Sequence, residues 1–165
     1  MKQNDEVINM EYEQIIDKII TALEKTNFAV LATANKDGVV SATQMTLIND
    51  GLKLFFQTDG KFEKVQNIKE NPNVGVNIGT MYFKGLAKVV GHPTTNPLFI
   101  EKVKSKAVKT WENYTNLPNE VLIEVDLTEC KIWGIDNSKD IHNQETIVVV
   151  NLLDKTIRKI ICDKM

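Results

Sequence analysis

From Phe28 onward the chain alternates between β-prone runs and Asp-Gly turns, and this pattern limits the fold more than any other feature. The first runs are FAVLATA, VVSATQMTLI and LKLFFQT, joined by turns at Asp37-Gly38 and Asp50-Gly51. Asp-Gly between two β-prone runs indicates a hairpin, because a tight hairpin turn needs residues that accept a positive φ. The pattern therefore predicts a meander of three antiparallel strands.

Strand-like text continues through most of the remaining chain. The later segments are VGVNIGT, MYFKGLAKVVG, EVLIEVDL and KIWGI, and KIWGI is expected to be a separate strand that returns across the sheet. The final runs ETIVVVNLL and TIRKIICDKM flank Asp154-Lys155 and predict a terminal hairpin. About eight strands are expected in total.

Three segments carry the spacing of amphipathic helices. The first runs from Tyr12 to Lys25, and the second is KFEKVQNIKEN, which Asn71-Pro72 ends. The third begins at Asn96 as the cap, has Pro97 at its first helical position and continues to Trp111. With the strands, these helices predict a mainly β (α+β) fold, an antiparallel barrel with helices attached.

The size of the chain favours one domain. Its 165 residues are enough for a single well-buried core, and no linker or repeat interrupts them. We expect residues 1–27 to form an N-terminal helix, 28–135 a barrel with its helices, and 136–165 a C-terminal hairpin extension.

Charge and composition exclude several classes of function. The 20 basic residues against 22 acidic ones are too balanced for a dedicated nucleic-acid binder. We expect few exposed aromatic residues on the strands, which also disfavours an oligonucleotide-binding barrel. The N-terminus is polar, and no apolar run reaches about 18 residues, so neither secretion nor a membrane span is expected.

Cysteine and histidine usage points to a cytoplasmic protein without a metal site. Cys130 and Cys162 form no CxxC pair, so reduced thiols that serve as small apolar fillers are expected. The only histidines are His92 and His142, too few for a metal cluster. Each is expected to be a loop or turn residue, with an axial haem ligand as the alternative.

The segment from Leu54 to Val74 is the most informative for function. A strand ending in Thr58, a tight Asp-Gly turn and a helix with Lys61 and Lys64 in its first turns would bring together a hydroxyl, ammonium groups and free backbone N–H groups. Such an arrangement is typical of a phosphate site. The alternative is that these lysines, with Lys69, form only the solvated face of the helix.

The order of these features resembles the FMN-binding split-barrel family that includes pyridoxamine 5'-phosphate oxidase. The resemblance covers about Tyr12 to Gly134 and begins with the Leu-Ala-Thr-x4-Gly segment at Leu31 to Gly38. After the hairpin, the matching positions are Phe56, Thr58, Lys64, Asn67, Ile68, Asn71, Pro72 and Val74.

The resemblance implies a split barrel that forms a homodimer, with FMN at the subunit interface. By position, Thr58 and Lys64 would contact the flavin phosphate. The second strand, which carries Thr43, Gln44 and Met45, would run past the flavin ring and the ribityl chain. The arginine that strong flavin binders place on the second strand is Thr43 here, and Lys61 could replace it only as a point charge.

The resemblance further implies a flavin-dependent oxidoreductase acting on a small molecule, with hydride transfer at N5 of the flavin and a backbone N–H of the Gln44–Met45 region beside it. Pyridoxamine 5'-phosphate itself is a poor candidate substrate, because the only arginine is Arg158. A non-catalytic flavin- or haem-binding module is the alternative.

Three aromatic residues are candidates for a wall against the flavin ring. Trp111 and Tyr114 end the long helix, and Trp133 precedes Gly134, which would allow close approach. For each, the competing interpretation is packing of a helix or strand against the barrel.

Overall fold

A computed structural model describes the backbone of residues 2–133 and 145–162 and the side chains of 11–133 and 147–160. Within these residues the chain forms the strands β1 (Phe28–Ala34), β2 (Val40–Thr46), β3 (Ile48–Asp50), β4 (Lys53–Asp59), β5 (Asn73–Ile78), β6 (Met81–Val89), β7 (Glu120–Trp133), β8 (Glu145–Asn151) and β9 (Thr156–Cys162). Its helices are α1 (Lys2–Lys25), α2 (Glu63–Glu70), α3 (Pro97–Lys106) and α4 (Val108–Asn113), with a 3-10 turn at Pro93–Thr95. The mainly β (α+β) class, with antiparallel strands and flanking helices, is confirmed.

The strands form one sheet in the order β2-β1-β5-β6-β7-β4-β3, with β8 paired to β7 and β9 paired to β8. Every pairing is antiparallel. The two ends of the path, β2 and β3, are separated in the chain by Leu47 alone. The sheet must therefore curl until its ends meet, which makes a barrel, but within the described residues β2 and β4 form no ladder. The barrel is split along that line.

The predicted three-stranded meander is wrong. Both hairpins exist, since β1 pairs with β2 and β3 with β4, but the run VVSATQMTLI breaks at Leu47. The Leu47 side chain is fully buried, and its N–H donates to the Asn27 carbonyl at 2.9 Å. The chain consequently leaves β2 at this point, and β4 joins the opposite end of the sheet beside β7.

KIWGI does not return across the sheet as predicted, because its first residues continue β7, a strand of 14 residues. The neighbouring strand β6 follows β7 from Met81↔Ile132 to Val89↔Ile123, with a register shift at Lys84/Gly85. This shift lets one long strand stay paired along its length. The terminal β8–β9 hairpin is present as predicted, with Lys155 at a φ of 57° in its turn.

The helices also differ in extent from the sequence prediction. The first begins at Lys2 rather than Tyr12, and the third divides at Ala107 into α3 and α4. The predicted cap at Asn96 is observed, with its Oδ1 accepting the Phe99 N–H at 3.0 Å. None of the described helices is long and apolar enough to cross a membrane.

Two apolar clusters cover opposite faces of β4. The larger one fills the barrel and includes Leu23 of α1, Phe56 of β4 and Ile123 of β7. In the smaller one, outside the barrel, Phe55 packs on Phe99 of α3 with ring centroids 6.2 Å apart. Alternate side chains of β4 therefore point into and out of the barrel, and this alternation sets the directions of the polar residues at its end.

Candidate functional site

The split in the barrel leaves two strand edges facing each other. The pairing of β4 with β3 ends at Phe55, so in the part of the chain that the structure describes the later residues of β4 are paired only with β7. On the other side, the only described strand that pairs with β2 is β1. Between these edges lies a cavity of about 310 Å³, here called the seam cleft. It is lined by Thr43, Gln44, Met45, Thr46, Gln57, Thr58, Asp59, Phe62, Lys64, Thr110, Tyr114 and Glu120.

Most of the residues that the sequence singled out come together in the seam cleft. The residues in question are Thr43, Gln44 and Met45 of β2, Thr58 of β4 and Lys64 of α2. They lie on three different elements, and the split brings those elements to one cavity. Their role as cofactor contacts remains a prediction.

Two of the predicted residues lie elsewhere. Lys61 is exposed in the turn before α2, where its backbone N–H donates to Asp59 Oδ1 at 2.8 Å. Trp133 ends β7 and pairs with Ile147 of β8. Neither of them lines the seam cleft.

Lys64 is buried, with only 9% of its surface exposed. Among the described residues it forms no ion pair, and its Nζ lies 4.6 Å from the centroid of the Phe62 ring. Burial lowers the pKa of Lys64, and the nearby Glu63 offsets this only in part. A buried ammonium without a carboxylate partner is costly unless an anion binds it. The solvated-face interpretation is thus wrong for Lys64, while Lys61 and Lys69 are exposed.

The start of α2 adds hydrogen-bonding groups to this end of the cleft. Phe62 occupies the N-cap position and provides no side-chain cap to the first turn. Its ring is 55% exposed and borders the cleft beside Lys64. Thr58, of which only 7% is exposed, lies next to this turn and lines the cleft. The corner therefore combines an ammonium, a hydroxyl and helix-terminal N–H groups, which is the donor set for an anion.

A polar relay that the sequence analysis missed forms another wall. Thr115, fully buried, donates from Oγ1 to Gln57 Oε1 at 2.8 Å, and Gln57 Nε2 donates to Glu120 Oε2 at 3.0 Å. Burial raises the pKa of Glu120, and the bond from Gln57 acts in the opposite direction. No local motif marks these residues, because Gln57 and Glu120 meet only through the β4–β7 pairing.

Helix α4 covers one side of the cleft loosely. It has no buried residue, and Thr110 Oγ1 lies 3.4 Å from Thr46 Oγ1 of β2. Tyr114, just beyond the helix, lines the cleft and is 55% exposed. Trp111 instead packs against the smaller apolar cluster, with Lys104 Nζ 4.4 Å from its ring centroid.

Of the roles predicted for the histidines and cysteines, those of His92 and Cys130 can be compared with the structure. His92 bonds locally, with Nδ1 2.7 Å from Thr94 Oγ1 and Nε2 2.9 Å from the Leu117 carbonyl. Cys130 is fully buried, and burial raises its pKa to about 12, so it is an apolar filler rather than a nucleophile. His142 and the side chain of Cys162 lie outside the described residues. The described residues contain no cluster suited to a metal ion.

Comparison with known proteins gives a consistent result. The family model described as pyridoxamine 5'-phosphate oxidase matches residues 15–134. General stress protein 26 of Bacillus subtilis is 25% identical over 130 residues, which cover 76% of this chain and 92% of that protein.

Two solved structures extend the comparison. A Listeria innocua protein, provisionally named a pyridoxamine 5'-phosphate oxidase, is 26% identical with a TM-score of 0.59, covering 72% of this chain and 97% of that one. The haem storage protein HutZ of Vibrio cholerae is 13% identical with a TM-score of 0.55, covering 67% of this chain and 88% of that one. The second likeness shows the fold alone.

Proposed function

This chain belongs to the pyridoxamine 5'-phosphate oxidase family, and we propose that it binds FMN in the seam cleft and acts as a flavin-dependent oxidoreductase on a small molecule in the cytoplasm. The observation that carries the proposal is Lys64, a buried cation without a carboxylate partner among the described residues, which lines this cleft together with Thr58.

The phosphate end of FMN fits the corner formed by Lys64, Thr58 and the first turn of α2. The helix terminus alone contributes about 0.3–1 kcal/mol, so the ammonium and hydroxyl must supply much of the affinity. Asp59 also lines the cleft, but its Oδ1 already accepts the N–H of Lys61. This hydrogen bond reduces the repulsion between the Asp59 carboxylate and a bound anion.

The ring end of FMN fits the unpaired strand edges. A strand edge presents alternating N–H and C=O groups, and the pyrimidine part of the isoalloxazine ring carries alternating acceptors and an N–H donor. The edge of β2 at Gln44 and Met45 provides such groups, and Thr43 adds a hydroxyl where stronger flavin binders have an arginine. A backbone N–H of Gln44 or Met45 is our candidate for the contact near N5 of the ring.

When bound, the flavin supplies the hydride chemistry, and the chain supplies binding, orientation and exclusion of water. None of the residues lining the cleft is an arginine, and Arg158 lies on β9. A phosphorylated substrate would lack a fork-shaped partner, which favours a substrate other than pyridoxamine 5'-phosphate.

A second copy of the chain is proposed to complete the site. Strands β1 and β2 and the turn between them expose apolar side chains, with Phe28 56%, Val39 58% and Val40 69% exposed, and β2 also contributes to the cleft. An apolar surface of this kind beside a half-open ligand site is suited to a symmetric partner. We therefore propose a homodimer with FMN at its interface.

The alternative proposal is a non-catalytic flavin- or haem-binding module. Two observations favour it: Thr43 stands in place of the arginine, and HutZ, which shares the fold, is a haem storage protein. Oxidation of NAD(P)H with an acceptor, measured on the flavin-loaded protein, separates an oxidoreductase from a storage module.

The test begins with the visible absorption spectrum of protein purified without added cofactor. Flavin bands are expected, whereas a Soret band would favour the haem alternative. FMN titration should then show that Lys64→Ala raises Kd at least about tenfold, which is about 1.4 kcal/mol.

Lys69→Ala is the matched control, since Lys69 lies on the same helix and is exposed. It should leave Kd unchanged. Equal FMN affinity in wild type and Lys64→Ala would contradict the proposed phosphate contact.

A further inference from the structure

Glu120 is a buried carboxyl group in the seam cleft that the proposed phosphate and ring contacts do not use. We propose that Glu120 is a specificity-determining residue: its carboxylate accepts a hydrogen bond from a hydroxyl or N–H group of an anionic ligand and thereby selects a flavin phosphate against haem. This inference rests on the proposed FMN site.

The residues around Glu120 hold its carboxylate at the cavity in a position to accept a hydrogen bond from a ligand. Only 7% of its surface is exposed, and it borders the same cavity as Lys64. Gln57 Nε2 occupies Oε2 at 3.0 Å, and no other side chain bonds to the carboxylate among the described residues. Because Thr115 fixes the orientation of the Gln57 amide, Oε1 of Glu120 is left as an acceptor for another donor.

The charged groups around Glu120 come from three other elements. Asp59 lies opposite it on β4 and raises its pKa, whereas His92, on the loop before the 3-10 turn, lowers it. Lys64 of α2 lines the same cleft but forms no ion pair with Glu120. Among the described residues the cleft thus contains an unpaired cation at Lys64 and a buried carboxylate acceptor at Glu120, and a ligand that satisfies both must carry an anionic group and a hydrogen-bond donor.

FMN meets this requirement and haem does not. The ribityl chain of FMN bears hydroxyl donors next to the phosphate. The periphery of haem bears methyl, vinyl and propionate groups, which offer no N–H or O–H donor when the propionates are ionised. A buried acceptor left without a donor opposes binding, so Glu120 should favour FMN and disfavour haem.

Glu120→Gln tests the inference because the change keeps the shape and reverses the hydrogen bonding. Gln57 presents its NH2 group to position 120, so the new amide must turn its oxygen to Gln57 and its own NH2 group to the cleft. The charge-assisted hydrogen bond from a ligand hydroxyl to the carboxylate is then replaced by a weaker neutral bond from the amide to the hydroxyl oxygen. FMN affinity should fall about tenfold, and haem affinity should stay the same or rise.

The experiment measures Kd for FMN and for haem in wild type, Glu120→Gln and the control Glu124→Gln, at pH 7.5 and pH 5.5 as chosen conditions. Glu124 is on the same strand but outside the cleft, so its variant should match wild type. The ionised carboxylate, which is the stronger acceptor, exists above the raised pKa of Glu120 and is lost as pH falls through it. Over that fall in pH, wild type should lose a component of FMN affinity that Glu120→Gln lacks, since protonation of the FMN phosphate is common to both.

Equal FMN affinity in wild type and Glu120→Gln would overturn the inference, as would an equal loss of haem affinity. Wild-type protein that ignores FMN at both pH values would overturn the proposed function and this inference with it. If thermal melting shows that Glu120→Gln does not fold, Thr115→Val provides the test instead. This change removes the hydrogen bond that orients Gln57, so it should lower FMN affinity several-fold and leave haem affinity unchanged. Unchanged FMN affinity in Thr115→Val would then overturn the inference.

Discussion

The interior of the barrel and the seam cleft are built from the same strands but use them differently. In the interior, side chains such as Leu54 and Phe56 of β4 are fully buried among other apolar groups. At the seam, the end of the same strand places Thr58 and Gln57 beside an unpaired edge. The interior satisfies its own groups, whereas the seam has a buried cation without a carboxylate partner, and strand edges without a neighbouring strand, among the described residues.

This difference shows how one sheet combines a packed interior with a candidate binding site. The larger apolar cluster joins α1 to strands from both ends of the sheet path, so the barrel stays closed without a β2–β4 ladder. The polar groups along the split lie outside this apolar cluster and are open to a ligand. Three substitutions should break or sharpen this contrast.

The largest expected effect comes from removing a ring of the interior. Phe56→Ala should lower the free energy of unfolding by about 3–5 kcal/mol, because Phe56 is fully buried and the barrel cannot collapse around the cavity. Urea denaturation measures the change. Phe62→Ala also removes a phenyl ring, but at the seam, where Phe62 is 55% exposed. It should lower the free energy of unfolding by less than about 1 kcal/mol. Similar losses in both variants would remove the distinction between the regions.

A methyl group added at Gly85 should have the next largest effect. A Cβ there would lie 2.6 Å from Val125 Cγ1 and 2.9 Å from the Asp126 carbonyl oxygen. Gly85→Ala should therefore destabilise the protein by about 1–3 kcal/mol. Gly75→Ala is the control, since its nearest neighbour would be Ala32 Cβ at 3.7 Å, an ordinary contact. Thermal melting of both variants checks the prediction, and an unchanged Gly85→Ala melting temperature would contradict it.

The smallest effect should be a gain in stability at the seam. Burial lowers the pKa of Lys64 in the folded state, so below that pKa the buried ammonium opposes folding. This opposition is relieved as pH rises from the folded pKa to the unfolded one. Lys64→Met should raise the free energy of unfolding at neutral pH by about 1 kcal/mol. It should also reduce the increase in that free energy as the pH becomes alkaline.

Urea denaturation across a pH series measures both effects. Lys69→Met is the control at an exposed position of the same helix and should leave the stability unchanged. A loss of stability in Lys64→Met would mean that the ammonium has a favourable partner, and the seam would then resemble the interior.

The sequence predicted much of the fold because its signals were local. The hairpins at Asp37-Gly38 and Asp50-Gly51 and the cap at Asn96 follow from residue types within a few positions. The break at Leu47 could not be predicted, because both halves of that run are equally β-prone. The direction of β4 after the break depends on its pairing with β7, far away in the chain.

The candidate site divides in the same way. The order of Thr58 and Lys64 along the chain pointed to an anion site, but helical spacing alone favoured a solvated Lys64. Lys61 has the same chemistry and a similar position, yet it is exposed and outside the cleft. Glu120 carried no signal, because its partner Gln57 precedes it by 63 residues.

Sequence alone determined the strand-rich composition, the turn positions and the segment with the chemistry for a phosphate, since each depends on neighbouring residues. Tertiary structure decided that the barrel stays split between β2 and β4, that Lys64 is buried there while Lys61 is not, and that Glu120 faces the same cavity. These outcomes depend on contacts between distant segments, and the burial and charge of a side chain are properties of those contacts rather than of the residue itself.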